Sequence, residues 1–466
     1  MTTNYPKILF FVSLIITGIA CSEKKSTPVS VPVTTLSPQA DSFMDSLSRD
    51  TFNFFWDLAE PTNGNQPDRW PTPAFSSIAA TGFGLTSYLV GVERGYITRQ
   101  QAAERVATTL KFFRNASQGN ATTGVTGFKG FFYHFIDPKT GIRFQQVELS
   151  TIDTGLLMAG ILSCHAYFDK DNELEKSIRA VSDSLYRAVE WDWAMNKKET
   201  MSMGWHPERG FLDAQWKGYN EAMILYIMAI GSPSHPIPAE SWNAWTATYQ
   251  WANYHGMEYV NFGPLFGHQY SHVFIDFKGI QDAFMAGKGI DYFENSRRAT
   301  LANQKYCAAN SGGFVGYRST MWGLTACDGP GNDNKANPNI SFDGYNARGV
   351  AQFYQKDDGT LAPTAAGGSI PFAPDECIAT LKEMKYTLNG KLYGKYGFKD
   401  AFNLSIVFQD GTHGWFDKDY LGIDQGPILI QLENYRTGLV WKIMKKSPYI
   451  RDGLKKAGFK GGWLNE

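Results

Sequence analysis

The stretch Gly204–Pro233 reads GWHPERGFLDAQWKGYNEAMILYIMAIGSP, and the interpretation of the whole chain starts from it. Its first half is irregular and rich in aromatic side chains. From Asn220 onward the pattern becomes a continuous apolar run, which predicts a buried helix that Gly231 and Pro233 end. Asn220 is a suitable N-cap, so the pattern predicts that Glu221 lies in the first helical turn, at the mouth of the core.

A carboxyl group beside several large rings can act in two different ways. Trp205, Trp216 and Tyr219 precede Glu221, and rings of this kind stack on the faces of sugars. Apolar surroundings raise the pKa of a carboxyl group, which allows it to donate a proton near neutral pH. The alternative is that Glu221 only complements the dipole of the helix. This stretch by itself leaves both interpretations open.

The N-terminus resembles the export signal of a bacterial lipoprotein. Lys7 precedes an apolar run over 8–16 that is too short for a comfortable membrane span, and small residues lead to Cys21. We expect residues 1–21 to be the signal and Cys21 to carry the lipid. Residues 22–39 are predicted to be a disordered tether. We therefore expect an exported protein of the periplasm or outer membrane that contacts the membrane only through its lipid anchor.

Residues 40–466 are predicted to form a single domain. The chain of 466 residues is 43% hydrophobic and 15% aromatic, which is enough for a large core, and no second linker-like segment is visible. A formal net charge of −1 argues against nucleic acid as a partner. The cysteines after Cys21 lack zinc-like spacing, and the sequence does not decide whether Cys307 and Cys327 pair. We expect a monomer without a cofactor.

About a dozen candidate helices alternate with loops, a pattern that predicts an all-α fold, the (α/α)6 barrel. One β-hairpin is expected over 128–147. The loops 195–219, 253–275, 311–373 and 389–426 are long, and loops of this length in a compact domain are usually functional. If they share one end of the barrel, they form a cleft. The candidate helices cover 41–59, 76–94, 98–115, 150–168, 172–194, 220–230, 239–250, 276–286, 291–309, 374–388 and 427–445, with a short one near the C-terminus.

Two further acids flank the start of the helix predicted over 150–168. Asp153 follows Ser150 at the spacing of a capping box, so its simplest role is structural. Glu148 lies just outside this helix, where it could face a cleft.

Asp424 is the best candidate for a second reacting carboxylate. It is predicted to cap a helix that has Pro427 in its first turn, and Gln425 is predicted to point toward solvent or a ligand. Asp400 lies in a predicted turn and could serve as a cap or a support.

The segment from Gly267 to His272 concentrates polar side chains on one loop. His268 and His272 lie four residues apart with Asp276 nearby, but they are not on a clean helix, and a metal site is disfavoured. Hydrogen bonding to sugar hydroxyls, or a role in holding the loop, is the favoured interpretation.

Five motifs together resemble one family. They are ELSTIDT (148–154), GYNEAMILY (218–226), HQYSH (268–272), APTAAGGS (362–369) and YLGIDQGP (420–427). In this order they resemble the bacterial glucoamylase-like family, which contains the β-1,2-glucanases of glycoside hydrolase family 144. The resemblance covers nearly the whole chain from about residue 41.

The resemblance implies an (α/α)6 barrel and metal-free, inverting hydrolysis of β-1,2-linked glucan. Glu221 matches the glutamate thought to act as the acid, and Glu148, Asp153 and Asp424 are the candidates for the base. We expect an endo-acting enzyme. The alternatives are an exo-acting relative that releases sophorose, a non-catalytic glycan-binding surface lipoprotein and, last, a polysaccharide lyase. No metal ligand is assigned, and the candidate substrate-binding residues are Trp205, His206, Trp216, Tyr219, His268, Gln269, Tyr270, His272, Trp322, Asp400 and Gln425.

Overall fold

The computed structural model describes residues 38–331, 341–388 and 390–465. The predicted export signal, Cys21 and nearly all of the predicted tether lie outside these residues. No helix within these ranges combines the length and apolar character needed to cross a membrane.

Helices make up most of the regular structure. The fifteen α-helices within the described ranges are α1 Pro38–Leu58, α2 Ile78–Glu93, α3 Arg99–Asn115, α4 Thr151–Tyr167, α5 Glu173–Arg187, α6 Met223–Gly231, α7 Ser241–Thr246, α8 Tyr270–Phe274, α9 Ala283–Lys288, α10 Tyr292–Ala309, α11 Pro363–Gly367, α12 Pro374–Thr387, α13 Gly422–Thr437, α14 Leu439–Met444 and α15 Pro448–Lys456. Three short 3₁₀ segments cover Trp193–Met195, Leu265–His268 and Gly462–Asn465.

Most predicted helices are present, and several of them differ in their bounds. The helix predicted over 276–286 is the shorter α9, while the unpredicted α8 begins at Tyr270. The helix predicted over 427–445 begins earlier, at Gly422, with Pro427 inside it rather than in its first turn, and Gly438 divides it into α13 and α14. The helix predicted over 172–194 ends at Arg187. Boundaries are the parts of a helix that a sequence pattern defines least well.

Five helices pack in a closed series. α2 contacts α4, α4 contacts α6, α6 contacts α8, α8 contacts α13, and α13 returns to α2. α1, α3, α5 and α15 pack on this series from other sides. The interior helices α2, α4 and α6 are apolar almost all around and buried along nearly their whole length, as expected of helices covered on every side.

Glycines allow two of these helices to approach closely. A Cβ on Gly82 of α2 would lie 2.3 Å from the carbonyl oxygen of Leu156 in α4. A Cβ on Gly160 of α4 would lie 2.1 Å from the carbonyl oxygen of Gly82. The backbones of α2 and α4 therefore touch directly, which only residues without a side chain permit.

The long connections are not bare loops, and the all-α prediction is wrong to that extent. The described residues contain nineteen short strands: β1 Arg69–Trp70, β2 Ser76–Ser77, β3 Gly127–Phe128, β4 Phe131–Phe132, β5 Phe135–Ile136, β6 Leu149–Ser150, β7 Gly204–His206, β8 Gly210–Phe211, β9 Trp251–Tyr254, β10 Met257–Val260, β11 Ala326–Cys327, β12 Asn346–Ala347, β13 Gly349–Ala351, β14 Tyr354–Lys356, β15 Tyr393–Gly394, β16 Gly397–Phe398, β17 Phe402–Val407, β18 His413–Phe416 and β19 Tyr420–Leu421. They form one three-stranded sheet, β6-β7-β8, and eight two-stranded sheets. The hairpin predicted over 128–147 is reduced to a bridge between Ile136 and Arg143, because β5 pairs with β2 instead.

Short strands bring the N-terminal ends of three helices together. β2, β6 and β19 run directly into α2, α4 and α13. β1 pairs with β19, and the backbone N–H of Gly422 donates to the carbonyl oxygen of Asp68 at 2.8 Å. The carbonyl oxygen of His134 accepts from Ile78 at the start of α2, while the N–H of His134 donates to the carbonyl oxygen of Glu148 just before α4. The side chains carried by these connections therefore share one end of the helix series.

Candidate active site

Glu221 lies in the turn that precedes α6, because the helix begins two residues later than the sequence predicted. The predicted N-cap role of Asn220 is wrong, because α6 begins at Met223 and Ala222 occupies the cap position. Asn220 still orders the turn, since its Oδ1 accepts a hydrogen bond from the backbone N–H of Ala222 at 3.0 Å. Ser271 fixes the same turn from α8 by donating to the carbonyl oxygen of Glu221 at 3.0 Å. The result is a carboxyl group held on a rigid support.

A cavity of about 560 Å³ opens beside Glu221. Its size falls within the range of about 300–1,000 Å³ that is usual for small-molecule sites. Aromatic rings supply much of its wall, and amide, hydroxyl and ammonium groups supply polar contacts. The lining residues are Met203, Trp216, Lys217, Gly218, Tyr219, Asn220, Glu221, Thr248, Gln250, Asn261, Phe262, Gly263, Phe266, Ala351, Phe353 and Tyr354.

The surroundings of Glu221 raise its pKa to about 7. Burial is the main cause, because it removes water that would stabilise the ionised form, and the negative charge of Asp153 adds to the effect. With this pKa, about half of the Glu221 carboxyl groups carry a proton at neutral pH. Glu221 can therefore donate a proton to a bound molecule.

Asp400 and Asp424 form a buried pair of carboxyl groups. Asp424 lies in the first turn of α13, where Leu421 rather than Asp424 occupies the cap position, so the predicted capping role is wrong. Burial raises the pKa of Asp424 to about 7, while a hydrogen bond with Asp400 acts to lower it. Burial and the charge of Asp424 raise the pKa of Asp400 well above its usual range. Asp400 therefore holds the proton of this pair, and Asp424 is the member that ionises.

Further acids lie near this pair, and Arg69 contacts two of them, Asp68 and Asp328. Arg69 contacts Asp328 at 2.6 Å and Asp68 at 3.1 Å. The backbone N–H of Asp328 donates to Asp400 at 2.6 Å. Asp328, Asp400 and Asp417 each place one carboxylate oxygen within 4.8 Å of the others, a spacing that a cation could bridge. The expectation of metal-free chemistry came from the family resemblance and from the lack of ligand-like spacing in the sequence, and it stays a prediction.

A histidine links the two acids near the start of α4. His134 Nδ1 lies 2.8 Å from Glu148 Oε1, and its Nε2 lies 3.5 Å from Asp153 Oδ1. Burial alone would lower the pKa of His134, but the charge of Asp153 and the hydrogen bond to Glu148 outweigh it and raise the pKa to about 9. His134 is therefore a cation at neutral pH. Burial would raise the pKa of Glu148, but the hydrogen bond and the positive charge of His134 outweigh burial. They hold the pKa of that carboxyl group below its usual range.

Tyr270 marks the place where the separate groups of acids meet. It is buried in α8, and burial together with the charges of Asp424, Glu221 and Asp153 raises the pKa of its hydroxyl group well above the usual range. The same tyrosine thus experiences acids from α4, from the turn before α6 and from α13. Asp153, Glu221 and Asp424 therefore each lie near enough to Tyr270 for their charges to act on its hydroxyl group.

The family model called Glycoamylase matches residues 213–448, which include Glu221, Asp400 and Asp424. The chain belongs to the Glycoamylase family. This confirms the glucoamylase-like resemblance of the sequence motifs.

Three proteins similar to this chain are named as enzymes of β-1,2-linked glucan. The exo β-1,2-glucooligosaccharide sophorohydrolase (non-reducing end) of Parabacteroides distasonis is 30% identical over 461 residues, 92% of this chain. This chain spans only 59% of the length of that relative. The endo-β-1,2-glucanase of Chitinophaga pinensis, solved with sophorotriose and glucose, is 32% identical with a TM-score of 0.79. That comparison covers 92% of this chain and 100% of the other.

A third similar protein is the β-1,2-glucanase of Parabacteroides distasonis. Its structure is 29% identical with a TM-score of 0.78, and the match covers 91% of this chain and 61% of that one.

Of the predicted substrate-binding residues, Trp216 and Tyr219 line the cavity beside Glu221. Trp216 is fixed by a hydrogen bond from its Nε1 to Thr151 at 2.9 Å. Trp205 is half-buried on β7, where its ring packs against Phe128 and Trp193.

The predicted roles of several other polar and aromatic residues need correction. His268 and His272 are fully buried, and His272 bonds to Ser296 while Asp276 pairs with Lys445, so the three do not converge. Gln425 points into the protein rather than toward solvent or a ligand. The side chains of His268, Gln269, His272, Trp322 and Gln425 are each at most 1% exposed and occupy the core.

His206 is also occupied within the protein. Arg143 and Arg209 lie on its two ring nitrogens at 3.3 and 2.7 Å. Burial and these two charges lower its pKa, so it is neutral near pH 7. A neutral imidazole accepts at one ring nitrogen only, so one of the two arginines donates to it.

The sequence interpretation missed several groups at the site. Asp68, Arg69 and His134 lie on connections that carried no motif, and Asp417 lies just outside a motif, on the long loop 389–426. The sequence offered one usable signal, the two acids Asp417 and Asp419 immediately before the YLGIDQGP motif. The four free cysteines of the described residues, Cys164, Cys307, Cys327 and Cys377, are all buried, so Cys307 and Cys327 do not pair.

Proposed function

We propose that this chain is an endo-acting glycoside hydrolase that cleaves β-1,2-linked glucan with inversion. The observation that carries the proposal is Glu221, a carboxyl group with a pKa of about 7 at the edge of a cavity walled by aromatic rings. Sugar recognition uses such rings, and glycoside hydrolysis requires such an acid. The choice of the β-1,2 linkage in the substrate comes from the similar proteins, which are named for it.

In the proposed reaction, Glu221 protonates the oxygen of the scissile bond. Asp424 removes a proton from a water molecule, and the oxygen of that water attacks the anomeric carbon. The bond from the anomeric carbon to the leaving oxygen breaks, and its electron pair stays on that oxygen, which takes the proton of Glu221. One attack from the opposite face inverts the anomeric centre.

Asp424 is proposed as the base because it is the member of the Asp400–Asp424 pair that ionises. Its pKa of about 7 makes it a stronger base than an ordinary aspartate. Glu148 is less suitable, because the contact with His134 holds its pKa below the usual range and stabilises its charge. Asp153 is engaged by Ser150 Oγ at 2.5 Å and supplies a nearby charge to Glu221.

We further propose that α2, α4, α6, α8 and α13 belong to the inner layer of an (α/α)6 barrel. Short strands join the N-terminal ends of α2, α4 and α13, which supports placing the cleft at that end. Export through residues 1–21, lipidation at Cys21 and a monomeric state complete the proposal, and they rest on sequence and composition.

Exo-acting release of sophorose is the second candidate function. It is favoured by the 30% identical sophorohydrolase, whereas the endo-glucanase is matched over its whole length. Time-resolved product analysis on linear β-1,2-glucan separates the two. An endo-acting enzyme produces a ladder of oligosaccharides early in the reaction, and an exo-acting enzyme produces sophorose alone. Glucose or maltose from starch, with β-1,2-glucan left intact, would contradict both.

The proposed steps use two carboxyl groups and no metal ion. Activity on β-1,2-glucan is therefore expected to survive dialysis against EDTA. A loss that calcium or magnesium restores would contradict this expectation and direct attention to Asp328, Asp400 and Asp417.

A further inference from the structure

A second cavity, of about 570 Å³, borders the helix α3 and is as large as the cavity of about 560 Å³ beside Glu221. The two walls have no residue in common. Three segments supply nearly all of the second wall, namely the C-terminal half of α3, the loop that follows it and the turn around Thr140. The reaction proposed above uses none of these segments.

Hydroxyl groups dominate the polar part of this second wall. They belong to Thr62, Thr108, Ser117, Thr126 and Thr140. Thr62, Thr108 and Thr140 donate their hydroxyl protons within the protein and keep lone pairs for a ligand. Within the described part of the chain, the wall contains no carboxyl group. Such a wall suits a neutral ligand that is itself rich in hydroxyl groups, and it offers no acid or base to cleave that ligand.

One face of α3 presents a ring and two donors to the cavity. Thr108, Lys111, Phe112 and Asn115 follow the spacing i, i+3, i+4 and i+7, which places them on one side of a helix, and all four line the wall. Lys111 and Asn115 are exposed, and neither side chain makes a hydrogen bond or ion pair with another described residue. The ring of Phe112 is half-buried, and its edge packs on Gly141, where an added Cβ would lie 2.1 Å from Cζ.

Hydrogen bonds join the segments of the wall to one another. Asn63, next to Thr62, donates to the carbonyl oxygen of Pro138 at 2.8 Å and so holds the turn around Thr140. The backbone N–H of Arg143 donates to the carbonyl oxygen of Val125 at 2.9 Å and holds the loop after α3. The cavity is thus formed before any ligand arrives, which lowers the entropy lost on binding.

We propose that this cavity is a second, non-catalytic binding site for a neutral saccharide chain, with Phe112 as its stacking ring and Lys111 and Asn115 as hydrogen-bond donors. The kind of saccharide, a β-1,2-linked glucan, rests on the proposed function. A glucan held at the second cavity has a raised effective concentration at the cavity beside Glu221. The second site therefore helps only those chains that are long enough to reach both cavities.

The binding test is native electrophoresis in gels with and without polymeric β-1,2-glucan. All proteins carry Glu221→Gln, so that the glucan stays intact during the run. Added to this background, Phe112→Ala, Lys111→Ala and Asn115→Ala are each expected to raise the apparent Kd for the polymer about 2–10-fold. Phe112→Tyr keeps the ring and should bind as the Glu221→Gln parent does.

Arg114→Ala is the matched control for Lys111→Ala. It removes the same charge from an exposed position of the same helix, but Arg114 is absent from the cavity wall, and its binding should equal that of the parent. If Phe112→Ala does not fold, the two exposed positions Lys111 and Asn115 decide the test.

Kinetics of the same variants with Glu221 restored separate the two cavities. KM for the polymer should rise by a similar factor, while kcat and the KM for β-1,2-glucopentaose stay unchanged. Binding equal to that of the parent in the alanine variants would overturn the proposal. An equal rise of KM for the pentaose and the polymer would also overturn it, because the loss would then arise at the cavity beside Glu221. If the wild type does not cleave β-1,2-glucan, the proposed function fails, and that result is visible without any variant.

Discussion

Two regions of the site raise the pKa of a carboxyl group to about 7 by different arrangements. Glu221 is partly buried beside aromatic rings, and the charge of Asp153 adds to the effect of burial on its pKa. Asp424 is also buried, but it keeps a hydrogen bond from the protonated Asp400 that stabilises its charge. The surroundings of Glu221 favour its protonated form. At Asp424, the hydrogen bond from Asp400 stabilises the ionised form. Similar values therefore suit opposite roles, an acid at Glu221 and a base at Asp424.

The region around His134 contains a carboxyl group whose pKa is lowered rather than raised. Glu148 is also partly buried, yet a cation at 2.8 Å lowers its pKa. Burial alone therefore does not decide the state of these acids, and the nearest partner does. Changing one partner at a time tests this comparison.

The largest effect is expected from Glu221→Gln. Glutamine keeps the size of the side chain but removes the proton that must reach the leaving oxygen, so kcat on β-1,2-glucan should fall about 10²–10⁴-fold. The melting temperature should change little. Steady-state kinetics and thermal unfolding measure the two quantities. Glu258→Gln, at an exposed position on β10, is the control and should keep normal turnover. Normal turnover in Glu221→Gln would end its assignment as the acid.

Asp424→Asn is expected to have the next largest effect. Asparagine cannot accept a proton from water, so kcat should fall about 10²–10³-fold. Azide can replace the attacking water without a base, and it should partly restore turnover in Asp424→Asn but not in a variant that lacks only a binding contact. If Glu148→Gln loses more activity than Asp424→Asn, the base has been assigned to the wrong region.

The apolar helix α6 and the position of Glu221 beside aromatic residues could be predicted from sequence. Both signals are local, since an apolar run and nearby rings keep their meaning wherever the segment packs. The family resemblance rested on such local motifs as well. The exact turn at Asn220 could not be predicted, because Ser271 of α8 helps to fix it.

Polar residues within motifs were the main source of error. Gln269 donates to the carbonyl oxygen of Ala365, and Gln425 donates to that of Phe398. Both satisfy buried backbone groups, which a folded protein must do throughout its core. In sequence, a glutamine with this role cannot be distinguished from one that binds sugar. The pairings of His134 and of Arg69 were equally invisible, because their partners come from segments distant in the chain.

His134→Gln is expected to reduce stability in a pH-dependent way. The raised pKa of His134 means that its contribution is fully present below pH 6.5 and is lost as pH rises through about 9. The variant should be less stable by about 1–3 kcal/mol at pH 6, a range reduced for partial exposure, and the difference should shrink by pH 10. Denaturant unfolding at both pH values measures it. His235→Gln, at a ring 3.7 Å from Asp192 and 39% exposed, is the control. A difference that grows with pH would contradict a cationic His134.

The smallest expected effect is a difference between Asp400→Asn and Asp400→Ala in the pH profile of kcat/KM. Because Asp400 carries the proton near pH 7, an amide reproduces its donor, and Asp400→Asn should keep the pH profile of kcat/KM close to that of the wild type. Asp400→Ala removes the hydrogen bond that lowers the pKa of Asp424. The base then ionises only at higher pH, so the acidic limb of the profile should move upward while the basic limb, set by Glu221, stays near pH 7. The two limbs thus report on the two regions separately. If both limbs move together in Asp400→Ala, the regions are coupled and the comparison between them does not hold. If Asp400→Asn alone moves the acidic limb to lower pH, Asp400 is ionised in the wild type and repels the charge of Asp424 instead of stabilising it.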